Sequence, residues 1–327
     1  MRVLVTGGQG YIGSVLTTAL AATGCEVVVL DNEAFSAVRL DLPGVRYVGG
    51  DIRDPRDWES VLRGVDAVVH LAAVVGDPAC GLDENLAWDV NYVGTIRVAE
   101  ACRRQGVERL VFASTCSTYG ITEDEHVDVW SPLSPQSVYA RTKVLAEHHL
   151  LSPRDDGPHT VILRLSTAHG RSPRMRFDLG VNVMTAHAIA YGRVTVHGGQ
   201  QWRPFLHVKD IASAVRGALE LPRADAPVIY NCGATSENYT IAAVAKLITH
   251  EVAGSTVATT TDLRDPRNYR VNFDPIAQHM AFRPWFRVVD TIREIRDAMY
   301  AGGYQNFEDA VYSNHLTLAG AVSPTAA

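Results

Sequence analysis

The sequence predicts an α/β fold built on a doubly wound parallel sheet. Three observations carry that expectation. Short apolar runs, suited to strands buried on both faces, alternate with segments of helical periodicity through the first half of the chain. The first strand-to-helix junction is the glycine-rich stretch Thr6-Gly7-Gly8-Gln9-Gly10-Tyr11-Ile12-Gly13. The second run, Glu26 to Leu30, is closed by an acid, Asp31.

Strand, glycine turn, helix, strand and acid in that order form a dinucleotide-binding βαβ unit. Gly7 and Gly8 let the backbone turn tightly and approach a pyrophosphate. Gly10 leaves room for phosphate at a helix N-terminus, where unpaired N–H groups of the first turn favour an anion. Gly13 lets the helix lie close on the strand, and Tyr11 and Ile12 sit in that first turn. Asp31 follows Gly13 by 18 positions and is placed to accept from the ribose diol of an adenosine. Its charge would repel a 2′-phosphate, so NAD is expected rather than NADP.

Length and composition bound the rest. With 327 residues, 46% hydrophobic and 20% charged, the chain has ample core for one large α/β domain and a smaller lobe. A net charge of −6 without a basic stripe argues against nucleic acid. The five cysteines (Cys25, Cys80, Cys102, Cys116, Cys232) are scattered and show no metal-ligand spacing, so neither a metal site nor a disulfide frame is expected. Met1 leads straight into the first strand, which leaves no room for a targeting peptide, and no apolar run is long enough for a membrane. A cytoplasmic location is the expectation, with a loose tail from Gly320 to Ala327.

In chain order, Val45 to Val48 reads as a third strand ending at Gly49-Gly50-Asp51-Ile52. Asp51 either accepts from an adenine amino group, with the Ile52 N–H donating, or caps the helix announced by Asp54-Pro55; the sequence leaves both open. Ala67 to His70 is a fourth strand running into Leu71, Ala72 and Ala73, small enough for backbone to pass under a cofactor. His70 reads as a packed histidine rather than a catalyst. Asn91 lies in a helix from Leu86 to Cys102, either on an inward face with a polar task or exposed. A fifth strand, Leu110 to Ala113, stops in Ser114-Thr115-Cys116-Ser117-Thr118-Tyr119-Gly120, and hydroxyls there suit the crevice at the carboxyl edge of a doubly wound sheet. Tyr139 and Lys143 then share one helical face, where the ammonium is expected to lower the phenol's pKa and make it a usable general acid or base.

These residues together resemble an extended short-chain dehydrogenase/reductase of the NAD-dependent epimerase/dehydratase type, similar to UDP-galactose 4-epimerases at Asp31-Asn32. The resemblance runs to about Gly302. It implies NAD as cofactor, held by the glycine loop, Asp31, Asn32, Asp51, Ile52, Leu71, Ala72, Ala73, Asn91, Tyr139 and Lys143. It implies that Tyr139 exchanges a proton with a sugar hydroxyl or ketone, that Lys143 binds the nicotinamide ribose, and that Thr115 assists at the same oxygen. The 4,6-dehydratases carry Asp-Glu after this Thr; Cys116-Ser117 stands here, which disfavours dehydration. Cys116 is expected to be structural rather than catalytic, bordering the substrate with Ser117 and Tyr139.

The second half carries the implied substrate lobe. A sixth strand, Val161 to Leu165, leads into Thr167, where many relatives have Asn. Thr167, Asn182 (ahead of a helix expected from Val183 to Tyr191), Arg203 and the loop around Val75 are the implied substrate contacts. Arg203 would pair with a diphosphate. Among Arg264, Arg267 and Arg270, Arg267 is chosen as a second contact. Asp210 would cap a helix Ile211 to Leu219, and Arg174 and Arg176 would lie in a loop over the substrate. The implied division is a Rossmann domain of residues 1–165 plus about 205–235, and a substrate lobe of about 166–204 plus 236–327. The expected activity is C4 epimerisation of a nucleotide-diphosphate sugar by a homodimer. A 4-keto sugar nucleotide reductase or dehydrogenase with the same triad, and a non-catalytic dinucleotide sensor, are the alternatives.

Overall fold

The computed structural model describes residues 1–35, 38–152, 157–224, 226, 228–262 and 265–322; Arg264 and the end of the expected loose tail lie outside them. Six strands follow the order read from the sequence: β1 (Arg2–Thr6), β2 (Glu26–Asp31), β3 (Val45–Gly49), β4 (Ala67–His70), β5 (Arg109–Thr115) and β6 (His159–Leu165). Beyond them lie β7 (Thr167–His169), β8 (Arg193–His197), β9 (Trp202–His207), β10 (Val228–Cys232), β11 (Asn238–Thr240) and β12 (Thr256–Thr260). The main sheet runs β10-β6-β5-β4-β1-β2-β3, and every pairing in it is parallel.

The strand pattern explains why both faces are covered. Successive side chains of a strand point to opposite faces. Val3, Val5, Val27, Val29, Val69 and Val111 thus pack on one face against helices Tyr11–Ala21 and Val208–Glu220. Leu4, Val28, Leu30, Val68, Leu110 and Phe112 pack on the other against Trp58, Leu62, Val98 and Leu150. The strand order reverses between β1 and β4, so a crevice opens where their carboxyl ends part.

Two small sheets build the side that faces this crevice. One pairs β7 parallel and β11 antiparallel to β9; the other pairs β8 with β12. Phe205, Val194, Val196, Val244, Ile248 and Ile292 form their own core. From β9 the chain enters helix Val208–Glu220, which lies against helix Tyr11–Ala21, and then supplies β10 to the edge of the main sheet beside β6.

Three elements differ from expectation. The helix read as Leu86 to Cys102 is Glu84–Trp88, a π-helical segment Asp89–Gly94, and Thr95–Arg104. Gly94 sits against Ile52 there, and a Cβ on it would stand 2.7 Å from Ile52 Cδ1. The helix expected from Val183 begins at Gly180. Asp210 is not a cap: the helix starts at Val208, capped by His207, whose Nδ1 accepts from the Lys209 N–H at 3.2 Å. Asp210 instead accepts from the Trp285 and Phe286 N–H groups at 3.0 and 2.9 Å, tying a distant loop to the helix.

Beneath the end of β5, Arg164 and Glu147 form a buried ion pair, 2.7 Å at its shortest, with side chains 4% and 1% exposed. Arg164 also donates to the Tyr119 hydroxyl at 2.9 Å, and Ser114 donates to Glu147. Removing one partner of such a pair leaves an uncompensated charge. Arg164→Met should therefore lower the unfolding free energy by about 3–5 kcal/mol, read by urea denaturation. The double variant Arg164→Met/Glu147→Leu should recover part of that loss.

Candidate active site

The glycine turn is tight because Gly7, Gly8 and Gly13 have no room for a side chain. Gly7 is left-handed (φ 69°), and a Cβ on it would lie 2.8 Å from the Ala72 backbone. A Cβ on Gly13 would lie 2.3 Å from the Gly7 carbonyl oxygen. No side chain caps helix Tyr11–Ala21, whose N-cap is Gly10. Its first-turn N–H groups therefore face a cavity of about 610 Å³ bordered by Gly7, Gly10, Tyr11, Ile12 and Gly13. This is an anion cradle that a side chain would fill, and it fits a dinucleotide's pyrophosphate.

Along the cavity, Asp31 accepts from the Gln9 N–H (3.0 Å) and the Glu33 N–H (2.9 Å), and burial pushes its carboxyl up. Asp51 borders the cavity and is held by Arg53 (2.8 Å) and Asn32 (3.2 Å); the Arg53 hydrogen bond keeps its carboxyl below the usual range. The cap left open to Asp51 by the sequence comes from Asp54, which accepts from the Arg56 N–H. Asn32, Ile52, Leu71, Ala72 and Ala73 complete this wall. His70 is packed, as read: its ring nitrogens lie 2.7 Å from Thr6 Oγ1 and 3.0 Å from Thr95 Oγ1. Burial, then the neighbouring Lys143, pushes it down to about 3 and keeps it neutral.

Thr115, Tyr139 and Lys143 meet at the carboxyl end of β5. Helix Val138–Leu151 is started by Ser137, whose Oγ accepts from the Ala140 N–H and donates to Asp77 at 2.6 Å. Lys143 Nζ donates to the Ala113 carbonyl at 2.8 Å and lies 4.7 Å above the Phe112 ring and 6.0 Å from the Tyr139 ring centre. Burial pushes its ammonium down to about 8. The Tyr139 phenol does not behave as the sequence suggested. Burial pushes it up, with Cys80 and Asp77 adding to the rise, while Arg176 and a hydrogen bond with Thr115 act the other way. Lys143 is aimed at a carbonyl and an aromatic face, so desolvation decides the phenol's state.

Three expected contacts do not border the cavity, because their polar atoms are spent on backbone groups. Asn91 is fully buried; its Oδ1 accepts from the Val74 N–H (2.8 Å) and its Nδ2 donates to the Val74 carbonyl (2.9 Å), which fixes the Val74–Pro78 loop. Asn182 accepts from the Gly170 N–H (3.1 Å) and donates to the Arg176 carbonyl (2.9 Å). Cys116 turns inward to the Arg164 carbonyl at 3.2 Å.

The other substrate candidates, Val75, Thr115, Ser117, Tyr139, Thr167, Arg203 and Arg267, do border it. Arg267 makes a two-pronged pair with Asp265 (2.6 and 2.8 Å), meets Asp77 at 3.1 Å and donates to Ser117 at 2.9 Å. Arg203 Nη2 lies 2.8 Å from the same Asp265, off the line of a hydrogen bond, and its Nη1 donates to the Trp202 and Arg267 carbonyls. Arg270 stacks on Trp202 at 4.8 Å, away from the cavity. Sequence reasoning passed over Asp265, although it stands two residues before Arg267. It also passed over Asn314, brought in by the last described helix, for which no local signal exists. Arg174 and Arg176 are buried in the wall.

Comparison with known proteins agrees with this geometry. Residues 3–233 match the model of the NAD dependent epimerase/dehydratase family. A UDP-glucose 4-epimerase of Azospirillum brasilense is 30% identical over 323 residues, covering 91% of each chain. A dTDP-glucose 4,6-dehydratase of Streptomyces niveus is 29% identical over 311 residues, covering 90% of this chain and 91% of that one. Among solved structures, the Thermus thermophilus UDP-glucose 4-epimerase in complex with NAD superposes with a TM-score of 0.79 at 30% identity, covering 91% of this chain and all of that one. No helix among the described residues is long and apolar enough to cross a membrane.

Lys143 yields a pH test. Its folded pKa lies below the unfolded value near 10.4. Between about 8 and 10.4 the unfolded chain therefore binds more protons, and wild-type stability gains as pH rises. Lys143→Met lacks this gain. Its stability relative to wild type should fall by up to roughly 1.4 kcal/mol per pH unit in that window, read from melting curves of nucleotide-free protein at pH 7.5 and 9.5.

Proposed function

The chain belongs to the NAD-dependent epimerase/dehydratase family, and from that membership we propose that it epimerises a nucleotide-diphosphate sugar at C4 through a transient 4-keto sugar. Its cofactor is NAD, which supplies a hydride acceptor and donor when bound. Tyr139 takes the proton of the sugar's C4 hydroxyl and later returns it to the ketone oxygen. Thr115 shares a hydrogen bond with that phenol and would orient the reacting oxygen. Lys143, an ammonium one turn along the same helix, would hold the nicotinamide ribose and favour phenolate once ligands complete the site.

Arg203 and Arg267 would receive the diphosphate at the far end of the cavity, with Thr167 and Val75 flanking the sugar nucleotide. The finer readings that the protein is cytoplasmic and pairs with a second copy belong to the same proposal.

The observation that carries epimerisation over dehydration is the chemistry next to Thr115. Cys116 points into the core and Ser117 is bound by Arg267. The carboxylate nearby, Asp77, is engaged by Ser137 and Arg267. No free carboxyl acid and base therefore flank the triad among the described residues, and water elimination needs such a pair.

The test starts with denatured protein, whose released nucleotide is identified by mass spectrometry. Stoichiometric NAD, followed by interconversion of UDP-glucose and UDP-galactose without net NADH use, is the expected result. Empty protein that consumes NADH with a keto-sugar nucleotide would replace the reading with a reductase. Tyr139→Phe should keep its NAD and lose turnover by about 10²–10⁴-fold; full activity in that variant would remove Tyr139 from the mechanism.

A further inference from the structure

We propose that Arg174 is the counter-ion of the cofactor's pyrophosphate, delivered beside the glycine turn by a loop that is tied to the helix following that turn. The inference rests on the reading that NAD fills this cavity, and it assigns that site a cationic contact.

Arg174 is only 3% exposed, and its Nε has no hydrogen-bond partner among the described residues. One long contact holds it, Nη2 to the Phe35 carbonyl at 3.5 Å. The neighbouring Arg176 is fully paired, with Asp178 at 2.8 and 3.0 Å. Asp31 and Asp178 act on Arg174 only at a distance, and Arg176 opposes its charge. Burial pushes its pKa down to about 10, so it remains a cation at neutral pH. A buried guanidinium without an anion is an unfinished ion pair, and the completing charge must come from a ligand.

Position says which ligand. The loop carrying Arg174 is tied to the first turn of the glycine-loop helix. The Tyr11 hydroxyl donates to the Gly170 carbonyl at 2.6 Å, and Ser172 Oγ donates to the Tyr11 carbonyl at 2.7 Å and meets Ser14 Oγ at 3.0 Å. Arg174, two residues past Ser172, borders the same cavity as Gly7 and Gly10, beside an uncapped helix N-terminus. Phe35, whose carbonyl it meets, lies four residues past β2, and Asp31, whose charge reaches it, ends that strand, where the adenosine half would lie. The nucleotide sugar's arginines, Arg203 and Arg267, are grouped elsewhere around Asp265. The anion between the adenosine end and the glycine turn is the dinucleotide's own pyrophosphate.

Binding of NAD, ADP-ribose and adenosine to nucleotide-stripped protein, measured by calorimetry, tests this. Arg174→Met should weaken NAD and ADP-ribose by on the order of tenfold to a hundredfold, flatten their salt dependence, and leave adenosine unchanged. Arg174→Lys, which keeps the charge, should recover part of the loss and serves if the Met variant fails to fold. Unchanged NAD affinity in both variants, an equal loss for adenosine, or a loss confined to UDP-sugars would overturn the assignment. Wild-type protein that binds neither NAD nor ADP-ribose would instead overturn the reading beneath it.

Discussion

The structure depends on one close approach, where the turn after β1 passes against the turn after β4. Gly7 lies on the Ala72 backbone, and Gly13 lies on the Gly7 carbonyl. Neither contact has room for a methyl group. The first helix therefore begins against the sheet with its N–H groups open, and the reversal of strand order beside it becomes a crevice rather than a filled seam. The hydroxyls ending β5, the helix carrying Tyr139 and Lys143, and the loop after Ala73 are all arranged around that crevice.

The site is built from charges held out of water. Lys143 and Arg174 sit in the wall with little neutralisation, while Glu147 and Arg164 lie beneath it fully paired. The first two are poised for ligand groups; the last two make a rigid floor. Burying a cation without its anion weakens the empty protein, and the ligand reverses the deficit on arrival. Asn91 and Asn182 serve the same end with neutral groups, each fixing a loop through a pair of backbone hydrogen bonds.

Most of the main sheet was legible because it is written locally. A buried strand needs only a few consecutive apolar residues, and the glycine turn, Asp31 and the Tyr139/Lys143 pair have spacings fixed by one turn or one helix face. What was not legible depends on long-range partners. Asn91 and Asn182 have the polarity of contacts but are consumed by Val74 and Gly170. The phenol's state is decided by burial, which no i, i+4 spacing reports. Asp210 looks like a cap, yet its partners lie 75 and 76 residues away. The π-helical segment ends at Gly94, which lies against Ile52, a long-range contact that no local pattern announces.

The sharing of Asp265 by Arg203 and Arg267 has a consequence for selectivity. With Asp77 also bound to Arg267, the two cations and two carboxylates cancel in formal charge. A cluster with no net charge exerts little pull beyond a Debye length. A small free phosphate drifting past is not drawn in, and would have to compete with carboxylates already in place. Discrimination then falls to the parts of a ligand that the arginines never touch: only a molecule long enough to gain contacts at both of its ends profits from lying across the cluster.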